Sequence, residues 1–220
     1  SIKKLIGFDM GGTSTDVSHF NNEIERSLET KVSNYVIRTP SIEINTVAAG
    51  GGSILDFDGS RLRVGPKSAG AFPGPACYRN KGPLTITDAN VLLGKLDPEF
   101  LPSVFGVKQN QTIDIKIVTH KFKQLTKRIN NSTNTNKSKE EIAIGYISIA
   151  IENMANAIKN ISIQRGYDIK NHTLSCFGGA AGQHACLVAD KLNIRKIYIH
   201  PLSGLLSAIG VGLGDIRVIK

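Results

Sequence analysis

The stretch Gly7-Phe8-Asp9-Met10-Gly11-Gly12-Thr13-Ser14-Thr15-Asp16-Val17-Ser18 constrains this chain more than any other segment, because it sets carboxylates on both sides of a turn rich in glycine and hydroxyl residues. Leu5 to Asp9 and Thr15 to Phe20 read as strands, which leaves Met10 to Ser14 as a connecting hairpin loop. Glycines let backbone N–H groups approach an anion closely, and Thr13, Ser14 and Thr15 supply hydroxyl donors. Asp9 and Asp16 are too negative to touch phosphate themselves; they fit as partners of a hydrated Mg²⁺ that bridges to it. An ordinary Gly-rich hairpin is the alternative. The flanking aspartates and hydroxyls favour phosphate.

No Gly-x-x-x-x-Gly-Lys-Ser/Thr occurs, and no Gly-x-Gly-x-x-Gly opens a helix, so neither a Walker loop nor a dinucleotide fingerprint is present. A second small-residue turn, Gly178-Gly179-Ala180-Ala181-Gly182, follows a short apolar strand at Thr173 to Phe177 and precedes a helical pattern from Gln183 to Leu192. Such a turn leaves room for a flat ring and a sugar at the start of a helix, or serves as a tight packing corner.

With 220 residues, 40% of them hydrophobic, the chain can bury a real core. Its apolar runs fall short of a membrane span, and no leader pattern is present, so a cytoplasmic protein without membrane partners is expected. Cys77, Cys176 and Cys186 are odd in number and widely spaced, which predicts reduced structural thiols. The net charge of +9 is spread along the chain without aromatic interleaving, which argues against nucleic acid while still favouring anionic substrates.

Along the chain, Ile24 to Val32 and Ser41 to Val47 have extended character, and Asp58-Gly59 predicts a hairpin between Ser53–Asp56 and Arg61–Val64. Gly65 to Gly82 carries glycine and proline too densely for a regular element, and its Lys67, Ser68, Cys77 and Tyr78 suit either a pocket wall or a rigid connector. Helices are predicted over Asp88–Leu96 and Ile113–Ile129. Asn130 to Lys139 is almost entirely Asn, Thr, Ser and Lys, and predicts a flexible surface insertion. Ser138 with Glu141 forms a capping box, and Ile147, Ile151, Met154, Ile158 and Ile161 mark the buried stripe of the longest helix, ending near Gly166. A strand at Ile197–Ile199 and a small-residue helix at Ser207–Leu213, placed to pack beneath a nucleotide, complete an α/β order. Ala48-Ala49-Gly50-Gly51-Gly52-Ser53 follows a strand and would present successive backbone N–H groups to an oxyanion.

The hairpin resembles the second phosphate hairpin of the actin, sugar-kinase and chaperone ATPase superfamily, and the Gly178 turn resembles its adenosine-binding turn. Together with Asn45 to Ser53, Val64 to Tyr78, Thr87-Asp88-Ala89-Asn90 and Cys176 to Gly179, these segments resemble the hydantoinase A and 5-oxoprolinase family over the whole chain, residues 1–220. Ala181 to Cys186 and Ser203 to Ala208 are more similar to ATP-dependent 5-oxoprolinases than to N-methylhydantoinases or acetone-carboxylase subunits.

That resemblance implies an α/β actin-like (ribonuclease H-like) ATPase lobe, the second of two, with a mixed sheet and flanking helices, incomplete relative to the two-lobed family fold. It implies ATP and Mg²⁺ as cofactors and opening of the cyclic amide 5-oxo-L-proline to L-glutamate, a cytoplasmic step of glutathione turnover. Alternatives are N-methylhydantoinase or acetone-carboxylase chemistry, or a non-catalytic actin-like nucleotide-binding module. By motif position, Gly11, Gly12, Thr13, Ser14 and Thr15 would hold phosphates, and Asp9 and Asp16 the metal. Gly178, Gly179 and Gly182 would accept adenosine, with Gly51, Gly52 and Ser53 near the transferred phosphoryl group. Asp9, Asp16 and Ser53 are the catalytic candidates. Asp88 is either functional or a helix cap, and His184 either a base or a packing residue. One phosphate hairpin is present where the family uses two, and Ser1 is not an initiator methionine. The first lobe is therefore expected in the remainder of the polypeptide or a second subunit, with a homo-oligomer and an inactive isolated segment also expected.

Overall fold

Alternation of apolar with small or polar residues makes the first strand one-sided. In the computed structural model, which describes residues 2–32, 35–38 and 41–214, β1 (Lys4–Met10) buries Ile6, Phe8 and Met10 on one face and leaves Gly7 and Asp9 on the other. The strand β2 (Thr15–Asn21) continues the hairpin and buries Thr15, Val17 and His19. The chain divides into two units: Ser1–Gly11, Asp16–Asn45 and Ile158–Lys220 form the first, and Gly12–Thr15 with Thr46–Ala157 the second.

In the first unit, β3 (Arg26–Ser27) pairs with β6 (Ser41–Ile42), and β4 (Thr30–Val32) with β5 (Tyr35–Ile37), both antiparallel. The extended Ile24–Val32 predicted from sequence is thus broken into short pieces. A further strand, β7 (Ile44–Val47), lies at the edge of the main sheet.

The second unit opens with the predicted hairpin, β8 (Ser53–Phe57) and β9 (Leu62–Ser68). The second strand runs four residues beyond the expected Val64. Pairing jumps from Leu55↔Val64 to Ser53↔Ser68, so a bulge absorbs Gly65, Pro66 and Lys67, where a proline without an N–H is tolerated. Downstream, a short 3₁₀ turn at Ala76–Tyr78 corrects the reading of Gly65–Gly82 as wholly irregular.

The helix α1 (Ile86–Leu92) begins two residues before the prediction and ends four earlier. Thr85 caps it: its N–H and hydroxyl both donate to Asp88, at 2.8 and 3.0 Å. Leu93 leaves helical geometry and Gly94 turns left-handed, which stops the helix. Asp88, fully buried, also accepts the N–H groups of Ala76 (3.0 Å) and Cys77 (2.8 Å), so one carboxyl group fastens the 3₁₀ turn to the helix start. Burial raises its pKa, opposed by those same hydrogen bonds.

Asp114 caps α2 (Ile115–Thr133), which buries Val118, Phe122 and Ile129. It runs four residues past Ile129, so Asn130–Thr133 of the expected insertion are helical. Asn134 then takes the left-handed cap, and the Asn130 side chain accepts from the Lys137 N–H and donates to the Lys137 carbonyl. Side-chain hydrogen bonding orders here what composition alone leaves loose. The Ser138/Glu141 box forms as expected, at 2.7 and 3.1 Å, and opens α3 (Lys139–Arg165), the longest helix among the described residues. Its Ile147, Ile151, Met154, Ile158 and Ile161 are all buried. Within the second unit, Tyr146 donates to the Asp56 carbonyl at 2.9 Å and Arg128 to that of Phe57 at 2.6 Å, tying helices to the hairpin.

Returning to the first unit, Gly166 takes a positive φ after α3, and β10 (Thr173–Phe177), α4 (Ala185–Leu192) and β11 (Lys196–Ile199) follow. The main sheet has the order β11-β10-β1-β2-β7. Both β1–β10 and β10–β11 are parallel, with α4 as the crossover between the last two, while β1 and β2 form a hairpin. This is the mixed α/β sheet with flanking helices that the family resemblance implies. None of the residues of the last described helix, α5 (Leu206–Leu213), is buried, so the tight packing expected of it is not seen among the described residues. Among the described residues no helix is long and apolar enough to cross a membrane.

Replacing Asp88 with alanine removes the acceptor of three buried amides and is expected to cost about 3 kcal/mol or more, with Asp88→Asn losing less. Denaturant unfolding of the two variants checks this; a loss below about 0.5 kcal/mol for Asp88→Ala would show that those amides find other partners.

Candidate nucleotide site

Parallel pairing of β1 with β10 decides what meets in the first unit. The register runs from Leu5↔Thr173 to Asp9↔Phe177, so the turns that leave the two strands emerge side by side. The Gly178 amide donates to the Ser203 carbonyl at 3.0 Å, and that of Ala180 to the Met10 carbonyl at 2.9 Å. Gly178 has φ +83°, and a Cβ there would run into Asp9 Oδ1 and the Met10 carbonyl. No side chain fits. Gly179 and Gly182, in contrast, are exposed, carry no positive φ and face open space. Open space also lies where a Gly11 side chain would stand. These missing side chains leave room beside the strand ends, which is where a ligand of an open α/β sheet lies.

Gly7 sits against Ser18, since a Cβ on it would collide with the Ser18 hydroxyl. An antiparallel hairpin in that register sets Asp9 opposite Asp16 two residues further on, on the same face. Ser207 donates to Asp9 Oδ2 at 2.8 Å and orients the carboxylate. Sequence reasoning did not single out this serine as a partner of Asp9; its signals were the Ser203–Ala208 motif and the small-residue helix expected over Ser207–Leu213. Among the described residues no group of three or more His, Cys, Asp or Glu side chains converges as a metal site. Two facing carboxylates suit a cation that keeps several waters, as Mg²⁺ does.

In the second unit, Gly12 and Thr13 are exposed and Ser14 half-buried, with open space where a Gly12 side chain would stand. Thr15 is different. It is fully buried and its hydroxyl donates to the Ala49 carbonyl at 2.5 Å, so it anchors the loop and its proton is not offered to a phosphate.

The expected oxyanion turn is also corrected. The amides of Ala49, Gly50, Gly52 and Ser53 donate to Val47 O, Ser53 Oγ, Gly12 O and Gly50 O at 2.6–3.1 Å, and Ala49 to Ser53 are buried. The Gly51 carbonyl accepts the N–H and hydroxyl of Thr87. Cβ atoms at Gly50 or Gly52 would come within 2.5–2.8 Å of the Gly12–Thr13 backbone. The turn supports the Gly12–Thr13 backbone, and Ser53 closes it.

The remaining candidates fall to structural roles. Asp88 is the helix cap described above, and His184 is fully buried at the entrance to α4. In the Gly65–Gly82 loop, Cys77 is buried against Asp88, the Tyr78 ring packs on Phe105 with centroids 4.5 Å apart, Ser68 accepts from the Gly70 N–H, and Lys67 is exposed. Among the described residues these contacts fit a rigid connector better than a pocket wall. The three cysteines are free thiols as expected, although Cys186 is exposed rather than packed in the core. Burial pushes the Cys77 thiol far up and that of Cys176 to about 12, which leaves both inert. A cavity of about 990 Å³ in the first unit, lined by Asp168, Cys186, Asp190 and Arg195 among others, includes none of the glycine-turn residues.

The two kinds of glycine separate by experiment. Gly178→Ala is expected to lower stability by roughly 2 kcal/mol or more, through its positive φ and the crowding at Asp9, whereas Gly179→Ala and Gly182→Ala should stay within about 0.5 kcal/mol. Thermal unfolding of the three variants measures the contrast; equal losses would contradict the assignment of open space.

Known proteins resemble this chain in sequence and fold. The family model described as hydantoinase/oxoprolinase matches residues 1–220. The 5-oxoprolinase of Dictyostelium discoideum is 48% identical over 218 residues, covering 97% of this chain and 17% of that protein. The crystal structure of the ATP-dependent caprolactamase from Pseudomonas jessenii superposes with a TM-score of 0.83 at 34% identity, over 99% of this chain and 30% of that one. Nucleotide-free acetone carboxylase shares the fold, with a TM-score of 0.81 at 23% identity over 97% of this chain and 29% of that one. This chain thus spans 17% of the length of the Dictyostelium enzyme. With its whole length matched by the family model, the chain belongs to the hydantoinase/oxoprolinase family.

Proposed function

We propose that this chain is the nucleotide-holding segment of an ATP-dependent 5-oxoprolinase, in which ATP drives the opening of 5-oxo-L-proline to L-glutamate. The observation that carries the reading is the pairing of Asp9 with the Gly178 turn, bordered by glycines whose side-chain space stands open. The relatives' names support the substrate class: an oxoprolinase and a caprolactamase both denote enzymes acting on cyclic amides.

A lactam resists water because amide resonance makes its carbonyl carbon a poor electrophile. Transfer of the terminal phosphoryl group of ATP to the lactam oxygen breaks the bond to ADP and creates a leaving group. Water then attacks the ring carbon, the ring C–N bond breaks with its electron pair and a proton going to nitrogen, and a second water hydrolyses the resulting acyl phosphate to the carboxylate and inorganic phosphate. The chain's part in this is positioning and charge management. In this reading Gly11 to Ser14 receive the terminal phosphates, and Gly179 and Gly182 make space for adenosine. Asp9 and Asp16 would hold a hydrated Mg²⁺, which supplies charge neutralisation at the phosphates when bound. Ser207 keeps the Asp9 carboxylate turned for that task. Thr15 and the Ala49–Ser53 turn set the height of the loop without touching the ligand. The lactam pocket is assigned to the remainder of the polypeptide or a second subunit.

The test is ATP turnover by the complete polypeptide with 5-oxoproline, hydantoins and ketones. Stimulation by 5-oxoproline is expected, falling roughly 100-fold or more in Asp9→Asn and Asp16→Asn and about tenfold in Ser207→Ala. Gly179→Val should weaken ATP binding about tenfold with little change in Tm. Full turnover in both aspartate variants would remove the metal assignment, and stimulation by a hydantoin or ketone alone would move the enzyme to another branch of the family.

A further inference from the structure

Two histidines of the first unit are buried together away from the nucleotide candidates. His19 on β2 and His172, just before β10, are each 3% exposed, and their Nε2 atoms lie 2.8 Å apart. In the sheet β1 stands between β2 and β10, so the imidazoles meet across it. His172 Nδ1 lies 3.1 Å from the Asp168 carbonyl, and His19 Nδ1 lies 2.6 Å from Glu25 Oε1. The Tyr167 ring stacks on His19 with centroids 4.5 Å apart.

Proton positions follow from what each atom can do. A carbonyl oxygen only accepts, so His172 carries its hydrogen on Nδ1 and, when neutral, turns a lone pair towards His19. His19 Nε2 must therefore donate across the 2.8 Å gap. A carboxylate oxygen and a bare ring nitrogen would repel at 2.6 Å, so a proton also lies between His19 Nδ1 and Glu25. The result is an unbroken chain from Glu25 to the Asp168 carbonyl. A metal does not fit between the imidazoles: two bonds of about 2.0–2.1 Å at a tetrahedral angle hold the nitrogens roughly 3.3 Å apart, and they are closer than that.

We infer that Glu25, His19 and His172 form an acid-labile strap that fastens β2 to the start of β10 across β1, and that protonation of His172 at Nε2 opens it. A proton there sets one N–H against another and ends the hydrogen bond in the middle of the chain. The groups facing His172 reinforce the effect. Lys4 from β1 adds a positive charge, and the Asp168 carboxylate, which partly opposes it, is already accepting from the Lys170 amide and the Asn171 side chain. Burial first, then His19, hold His172 below the ordinary imidazole range. The sign follows: a histidine kept neutral in the folded state contributes its full stability above about pH 6.5, the unfolded value, and loses it as the pH falls towards its lower folded pKa.

Thermal unfolding of the full chain between about pH 7.5 and pH 5.5 tests the strap, with His172→Gln beside the wild type. The wild-type Tm should fall by roughly 2–4 °C over that range beyond the fall seen in His172→Gln, whose response is flatter although it starts lower. Equal pH slopes would overturn the inference. Should His172→Gln fail to fold, histidine-selective NMR of the wild type decides. The Nδ1–H tautomer of His172 persisting well below about pH 6.5 supports the strap, and ordinary titration or the Nε2–H tautomer refutes it. Neither readout depends on nucleotide chemistry.

Discussion

The parallel ladder between β1 and β10 is the interaction on which the candidate site depends. Asp9 pairs with Phe177 in that ladder, so two turns far apart in sequence leave the sheet at the same edge. Hydrogen bonds from Gly178 to Ser203 and from Ala180 to Met10 then fix the second turn over the end of the first strand. A shift of one residue in the register would turn Asp9 to the buried face and carry Met10 out of it. The buried side chains Ile6, Phe8, Met10, Leu174 and Cys176 hold that register by the cost of exposing them.

The glycines divide by what surrounds them. Gly50, Gly52 and Gly178 are glycine because neighbouring backbone or a carboxylate occupies the space of a side chain. Gly11, Gly12, Gly179 and Gly182 meet no such demand among the described residues, and the proposed nucleotide would lie against their open faces. The Ala49–Ser53 turn belongs with the first group. Its Ala49, Gly50, Gly52 and Ser53 amides are spent on the chain itself, so it acts as a support for the Gly12–Thr13 backbone.

Much of the secondary structure was legible in the residues. The hairpin of β1 and β2, the strand β10, the Asp58-Gly59 hairpin and the Ser138/Glu141 box all rest on local signals, and each appears where those signals stand. Misreadings arose where a local signal met a tertiary partner. The start of α1 follows from Thr85 and Asp88, a cap whose carboxylate also serves the distant Ala76 and Cys77 amides. The extension of α2 through Thr133 depends on Asn130 and Asn134 finding hydrogen-bond geometry that composition does not reveal. At Ser53 and Thr15, hydroxyls that suit phosphate chemistry are consumed by backbone groups brought near by the fold.

By itself the sequence determined the alternating strands, the capped helices, the two glycine turns and the carboxylates beside the first of them, because these depend on residue type and short-range spacing. Only the tertiary structure decided that Gly178 lies against Asp9, that Ser207 orients that carboxylate, and that His19 meets His172 across β1. Those contacts join residues remote in sequence. Their geometry is set by sheet register and by close packing, neither of which any local pattern encodes.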